Sequence, residues 1–198
     1  MKVMHDLAEP TVAKMLADGK VGIIPTDTLY GIVASIAHPK SVERLYAIRN
    51  RDSDKACIIL AANRSQITDT AAWQPIDWRI TKKYWPGPVS MVLPITDKTP
   101  RYLTRGWQTP PYRVPDFPKL RALLQKVGPI VAPSANPQTK PPAKTIKEAQ
   151  EYFGESVDFY VDGGELKGEP STLIKTQDGK VHILRQGKGR IDESDLVE

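Results

Sequence analysis

Two pairs of polar side chains, each pair separated by one residue, are where this chain could first do chemistry. Ser134 and Asn136 lie in Pro133-Ser134-Ala135-Asn136-Pro137, directly after Gly128-Pro129-Ile130-Val131-Ala132, a β-branched apolar run that reads as a buried strand. Each proline biases the residue before it to extended backbone. If Ser134 and Ala135 are extended too, the hydroxyl and the amide point off one face at the carboxyl end of a strand, where open α/β sheets bind ligands. A Pro-bounded turn with polar caps fits the same pentapeptide. The second pair is Arg49 and Arg51, in Arg49-Asn50-Arg51-Asp52-Ser53-Asp54-Lys55. In a helix their side chains would diverge by about 200°. If the helix stops near Asn50, a residue that tolerates the left-handed conformation, extended backbone brings both guanidinium forks to one side, a geometry suited to phosphate oxygens. A solvated charge cluster after a helix is the other reading of that segment.

These residues need elements to hold them, and the chain supplies short ones. Residues 7–16 are near helical spacing, and Gly19 follows as a stop. Val21–Ile24 reads as a buried strand running into Pro25-Thr26-Asp27-Thr28-Leu29-Tyr30-Gly31, whose hydroxyls could hold a small polar ligand or simply form a Ser/Thr turn. A helix is expected from Pro39 to Ile48, a strand over Ala56–Ala61, and helical stretches from Arg64 to Tyr84 broken near Pro75. The turn Trp85-Pro86-Gly87-Pro88 leads into a strand over Val89–Pro94. Residues 109–115 read as a short strand carrying Arg113, followed by a helix with Phe117, Leu120, Leu123 and Leu124 inward. After a polar loop, Thr145 with Glu148 forms a capping-box pattern for a helix to Phe153. Strands then follow at 159–161 and from about 172. Gln177-Asp178-Gly179-Lys180 reads as a hairpin, the return strand covers 181–184, and the tail from Asp192 is expected at the surface. Mixed crossover and hairpin connections predict one α/β domain with a twisted mixed sheet flanked by helices.

Composition narrows the function classes. With 40% apolar and 26% charged residues over 198 positions, the chain reads as an ordinary soluble domain. Cys57 is the only cysteine, which excludes an intramolecular disulfide and a Cys-based zinc site and suits a reducing cytoplasm. No signal peptide is read at the N-terminus, and no stretch approaches the ~20 apolar residues of a membrane helix. The net charge of +5 comes from scattered basic residues rather than a block, which favours a local anion site over a nucleic-acid surface. Walker and dinucleotide glycine motifs are missing, so a nucleotide would rely on arginines, hydroxyls and backbone amides. His5, His38 and His182 lack metal-site spacing, and no Ser-His-Asp order suggests a hydrolytic triad.

The motif series resembles the YrdC/Sua5 family, in particular its short single-domain form. PTDTLYG at 25–31, WPGP at 85–88, YRVPDFP at 112–118, APSANP at 132–137, DGG at 162–164, GEPSTLI at 168–174 and ILRQG at 183–187 stand in the family's order. The resemblance implies a single YrdC-like domain over 1–198 with its motif-bearing core at about 21–187, and without the C-terminal domain of longer Sua5 relatives. It implies a nucleotidyltransferase that joins L-threonine, bicarbonate and ATP into threonylcarbamoyl-AMP and pyrophosphate. Downstream threonylcarbamoyl-transferase proteins would use that product to build the t6A base of tRNA.

Carried over motif by motif, the resemblance places Arg49, Arg51, Ser134 and Asn136 at the catalytic phosphates. Arg49 stands where the family's Lys-x-Arg signature has lysine, and Phe117 where many relatives carry histidine. Thr26, Tyr30, Arg113, Ser134 and Ser171 would contact threonine, with Arg113 on its carboxylate. Arg49, Arg51, Lys55, Thr109, Asn136 and Arg185 would contact the nucleotide. Mg²⁺ would arrive with ATP, held mostly by phosphates and water, with no protein side chain as metal ligand. Two alternatives remain at this stage. One is a YciO-like paralogue, a class that tends to lack the Ser-x-Asn and Lys-x-Arg pairs. The other is a non-enzymatic RNA-binding module, whose weak tRNA or RNA binding would fall steeply with salt. Larger hydrogenase-maturation enzymes also contain this domain, but with acylphosphatase and zinc-finger segments that this chain does not show.

Overall fold

A computed structural model describes residues 2–50, 55–105 and 109–196. Its strands are β1 (Lys2–Met4), β2 (Gly22–Pro25), β3 (Tyr30–Ser35), β4 (Ile59–Leu60), β5 (Val89–Val92), β6 (Pro111–Arg113), β7 (Ile130–Val131), β8 (Phe159–Val161), β9 (Thr172–Gln177) and β10 (Lys180–Arg185). They form one mixed sheet in the order β1-β8-β2-β3-β7-β4-β6-β5-β9-β10. Parallel pairing joins β8 to β1 and β2, β4 to β6, and β5 to β9; the other neighbours run antiparallel.

The period-2 alternation of strand side chains decides the layering. Along β2 and β3, Ile23, Tyr30, Ile32 and Ala34 belong to one apolar cluster, whereas Ile24 and Val33 belong to another. A sheet apolar on both faces must be covered on both. Helix α1 (Pro10–Ala17) puts Val12 and Leu16 into the second cluster. Helix α2 (Pro39–Arg49) puts Val42, Leu45 and Tyr46 into the first. Helix α3 (Pro75–Tyr84) adds Ile80 to the first, and the single turn α4 (Arg101–Thr104) adds Leu103. Helix α5 (Pro118–Val127) covers the second cluster with Leu120, Leu123 and Leu124, and α6 (Ile146–Phe153) covers the first with Ile146, Ala149 and Phe153. Full burial of each such leucine or phenylalanine contributes about 1.5–3 kcal/mol, an upper range for a real denatured chain.

Helix ends follow local chemistry. Prolines stand in the first turn of α1, α2, α3 and α5, where the missing N–H costs nothing. Thr145 accepts the Glu148 N–H at 3.2 Å, and Glu148 reaches back to the Lys144 N–H at 2.8 Å. Helix α2 stops at Asn50, which takes the left-handed conformation with φ 50°.

Several expectations are corrected. The first helix begins at Pro10, not Leu7; Leu7 is buried ahead of it and the Glu9 carboxylate caps the preceding turn. Strand β3 was not expected, because Tyr30 and Gly31 close the polar 25–31 segment and only Ile32 and Val33 remain as a β-branched run. Strand β1 and helix α4 were also not expected. Only Ile59 and Leu60 of the expected strand over 56–61 sit in the ladder. The tail is not simply surface: Asp195 is buried and Leu196 bridges to Val181.

Candidate functional site

One small polar cleft is assembled from ends of strands scattered through the chain. Between β2 and β3 the backbone turns at Thr26–Leu29. Thr26 Oγ1 donates to the Leu29 carbonyl at 2.7 Å and accepts the N–H groups of Thr28 and Leu29 at 3.1 and 3.2 Å. Thr28 Oγ1 lies 3.1 Å from Thr26 Oγ1. The hydroxyls thus form a Ser/Thr turn and also line the cleft. The loop ahead of β9 crosses over this turn. A Cβ on Gly168 would lie 1.9 Å from the Thr28 carbonyl oxygen, so only glycine allows that approach.

Arg113, at the end of β6, and Arg185, at the end of β10, enter the same cleft. Arg113 is 4% exposed. Its Nη1 is paired with the Asp27 carboxylate, its Nη2 approaches Thr28 Oγ1 at 3.4 Å, and its Nε has no hydrogen-bond partner among the described residues. Arg185 Nη2 donates to the Ser171 carbonyl at 2.8 Å. Burial, and then the charge of Arg113, push the pKa of Arg185 below the usual guanidinium value. Two guanidinium groups close enough to feel each other make a site for an anion. Ser171 is buried with its Oγ 2.8 Å from Ser90 Oγ, and Ser134 joins the wall through an antiparallel bridge to Gly31.

The cleft's free volume is about 70 Å³. One water needs about 10–15 Å³ of such space, so the cleft suits a few water-sized groups, the scale of a small amino acid.

Tyr30 is fully buried. Its hydroxyl donates to the Gly164 carbonyl at 2.7 Å and accepts the Gly163 N–H at 2.9 Å. Its polar end therefore holds the Asp-Gly-Gly loop after β8 while the rest of the residue backs the cleft. Burial pushes its pKa up to about 12, against the pull of the Gly163 bond and with help from the Asp162 charge.

Asn136 belongs to a different cluster. The backbone is not extended through Asn136 as expected: the Asn136 N–H donates to the Ser134 carbonyl at 2.9 Å, closing a bend. Ser134 lines the cleft, whereas Asn136 does not. Asn136 Nδ2 donates to the carbonyls of Pro137 and Lys140 at 3.0 and 2.7 Å. Arg49, 4% exposed at the end of α2, donates from Nε to the Asn136 carbonyl at 2.9 Å and from Nη2 to Oδ1 at 3.4 Å. The Gln138 N–H returns to the Arg49 carbonyl at 2.9 Å. This is a brace between the helix end and the loop after β7.

Thr26, Tyr30, Arg113, Ser134, Ser171 and Arg185 are thus brought to one cleft; Arg49, Lys55, Thr109 and Asn136 do not line it. Lys55 is exposed, with its carbonyl accepting the Tyr46 hydroxyl at 3.0 Å, and Thr109 is half-buried just before β6. Arg51 lies outside the described residues. Asp27 is the residue the sequence reading passed over. A carboxylate between two cleft-lining threonines was its only local signal, because nothing in the spacing ties it to Arg113. Among the described residues, no group of three or more His, Cys, Asp or Glu side chains could hold a metal ion, and no helix is long and apolar enough to cross a membrane.

Comparison with known proteins bears on this cleft. The model of the Sua5/YciO/YrdC family, described as telomere recombination, matches residues 14–187. A threonylcarbamoyl-AMP synthase of Pseudomonas fluorescens is 34% identical over 173 residues, covering 85% of this chain and 92% of that one. The threonylcarbamoyl-AMP synthase of Pyrococcus abyssi is 32% identical, covering 93% of this chain but 55% of its own length, so this chain spans about half of it. A crystal structure of P. abyssi Sua5 complexed with L-threonine superposes with a TM-score of 0.87 at 29% identity, over 94% of this chain and 58% of that one. With a family match over most of its length and relatives above 30% identity, the chain belongs to the Sua5/YciO/YrdC family.

Proposed function

We propose that this protein is a threonylcarbamoyl-AMP synthase. The observation that carries the reading is the convergence of Arg113, Arg185, Ser171, Ser134 and Thr26 on one small cationic cleft, in a chain similar to threonylcarbamoyl-AMP synthases. In this reading the threonine carboxylate meets Arg113 and the Ser171 hydroxyl orients its polar groups, while Thr26, whose hydroxyl is taken up by its own turn, lines the cleft beside them. The threonine amine and bicarbonate give a carbamate and water. A carbamate oxygen then attacks the α-phosphorus of ATP, its new P–O bond replacing the bond to pyrophosphate, which leaves. Positive charge from Arg185 and from the Arg49–Arg51 segment stabilises the charge that builds on the phosphates more in the transition state than in the ground state. Little proton transfer by side chains is required, because a carbamate is already nucleophilic; positioning does most of the work. Mg²⁺ would accompany ATP and offset the charge of its phosphates. The product would pass to downstream threonylcarbamoyl-transferase proteins for t6A formation on tRNA.

The test is a mass-spectrometric product assay with ATP, Mg²⁺, L-threonine and bicarbonate. Threonylcarbamoyl-AMP should appear in the complete mixture, vanish when threonine or bicarbonate is omitted, and fall sharply in Ser134→Ala. No product from folded protein would sink the reading.

A further inference from the structure

A buried arginine in a cleft with a second arginine needs a counter-charge, and here one residue supplies it. Asp27 sits at the tip of the Thr26–Leu29 turn with its side chain 7% exposed. One carboxylate oxygen takes Arg113 Nη1; the other accepts the Asp116 N–H at 3.1 Å. The Asp27 carbonyl accepts Lys188 Nζ at 2.8 Å. Two segments distant in the chain, residues 113–116 and Lys188, are therefore tied to this residue. A guanidinium is a rigid planar fork, so holding it at one corner fixes the direction of the rest. The remaining donors of Arg113 are poorly met, with Nη2 on a long 3.4 Å contact and Nε without a partner among the described residues.

We propose that Asp27 is the positioning residue for ligand recognition in this cleft: it clamps Arg113 by Nη1, so that the under-used donors of the guanidinium are aimed at the carboxylate of the amino-acid substrate. Asp27 also cancels one of the two cleft charges, so that an empty cleft does not force the arginines apart. Asp27 does not touch the substrate in this scheme. It acts through Arg113, and the inference rests on the threonine reading above.

The experiment is steady-state product formation with threonine varied at saturating ATP and bicarbonate, and then with ATP varied. Asp27→Asn keeps an acceptor for the Asp116 N–H but loses the charge. It should raise KM for threonine about tenfold, the factor equivalent to about 1.4 kcal/mol, with KM for ATP changed less than about twofold. In an Arg113→Ala background, Asp27→Asn should add nothing further, because the group it positions is gone. Equal effects in the two backgrounds, or a loss expressed in KM for ATP, would overturn the proposal. If Asp27→Asn fails to fold in a thermal melt, Asp27→Glu keeps the charge and shifts the carboxylate by one methylene. An unchanged KM for threonine in Asp27→Glu would equally overturn it. Arg113→Ala alone decides the underlying reading: if KM for threonine stays at the wild-type value, Arg113 does not hold the substrate, whatever Asp27 does.

Discussion

Replacing Gly168 by alanine separates steric from conformational demands on the loop that roofs the cleft. The added Cβ would stand 1.9 Å from the Thr28 carbonyl oxygen and 2.9 Å from its carbonyl carbon. Ordinary carbon–oxygen contact is about 3.3–3.6 Å, so the loop or the Thr26–Leu29 turn must retreat by about 1.5 Å. Neither obstacle is a flexible side-chain end; both are backbone. Overpacking of this kind costs about 1–3 kcal/mol, or about 2–12 °C in Tm for a chain of this size. The functional cost should be larger, because the displaced turn carries Thr26, Asp27 and Thr28. A misplacement of about 1 Å can lower the rate about 10²-fold. Gly179 is the control, with φ +76° and nothing within 4 Å of an added Cβ. Gly179→Ala should lose about 1–2 kcal/mol from the left-handed backbone alone, with activity unchanged. Thermal melts with threonine-dependent product formation measure both. A Gly168→Ala protein with wild-type Tm and wild-type KM for threonine would refute the packing argument.

Asp195 offers a pH test. Burial opposes its ionisation, but hydrogen bonds from Lys83, Tyr84 and Arg79 outweigh that and bring its pKa down to about 2, below the ordinary value of 3.8. A depressed folded-state pKa gives stability that is present above about pH 3.8 and is lost as pH falls through about 2. With its partners part-exposed, the contribution is discounted to about 1–2 kcal/mol; Asp195→Asn should remove it near neutral pH and flatten the acid limb of a urea-stability profile. Arg49→Lys exchanges a planar two-donor contact with Asn136 for a single ammonium, and should cost about 1–3 kcal/mol in urea unfolding. Thr145→Ala removes the cap on α6 and should lower stability by about 1 kcal/mol, read as a smaller urea midpoint with an unchanged slope.

The helices were legible where capping and apolar spacing coincide. Pro118 with Leu120, Leu123 and Leu124 defines α5, and Thr145 with Glu148 starts α6 at the expected residue. The stop of α2 at Asn50 was readable from a residue type that tolerates positive φ. Strand β3 was not, because Gly31, Ala34 and Ser35 leave only Ile32 and Val33 as a β-branched run. The tail was misread because a run rich in Asp and Glu looks solvated until Arg79, Lys83 and Tyr84 of another element are brought against Asp195.

The candidate site divides in the same way. The family resemblance nominated Thr26, Arg113, Ser134 and Ser171 for threonine and Arg185 for the nucleotide; that all five line one cleft is a tertiary result. The bend at Ala135–Asn136, the turning of Arg49 onto Asn136 and the Asp27–Arg113 clamp were decided only by the tertiary structure. Ion pairs and bends of that kind depend on distances between segments as far apart as residues 27 and 113. Local sequence encodes which groups are present and which backbone shapes are cheap, but not which of them meet.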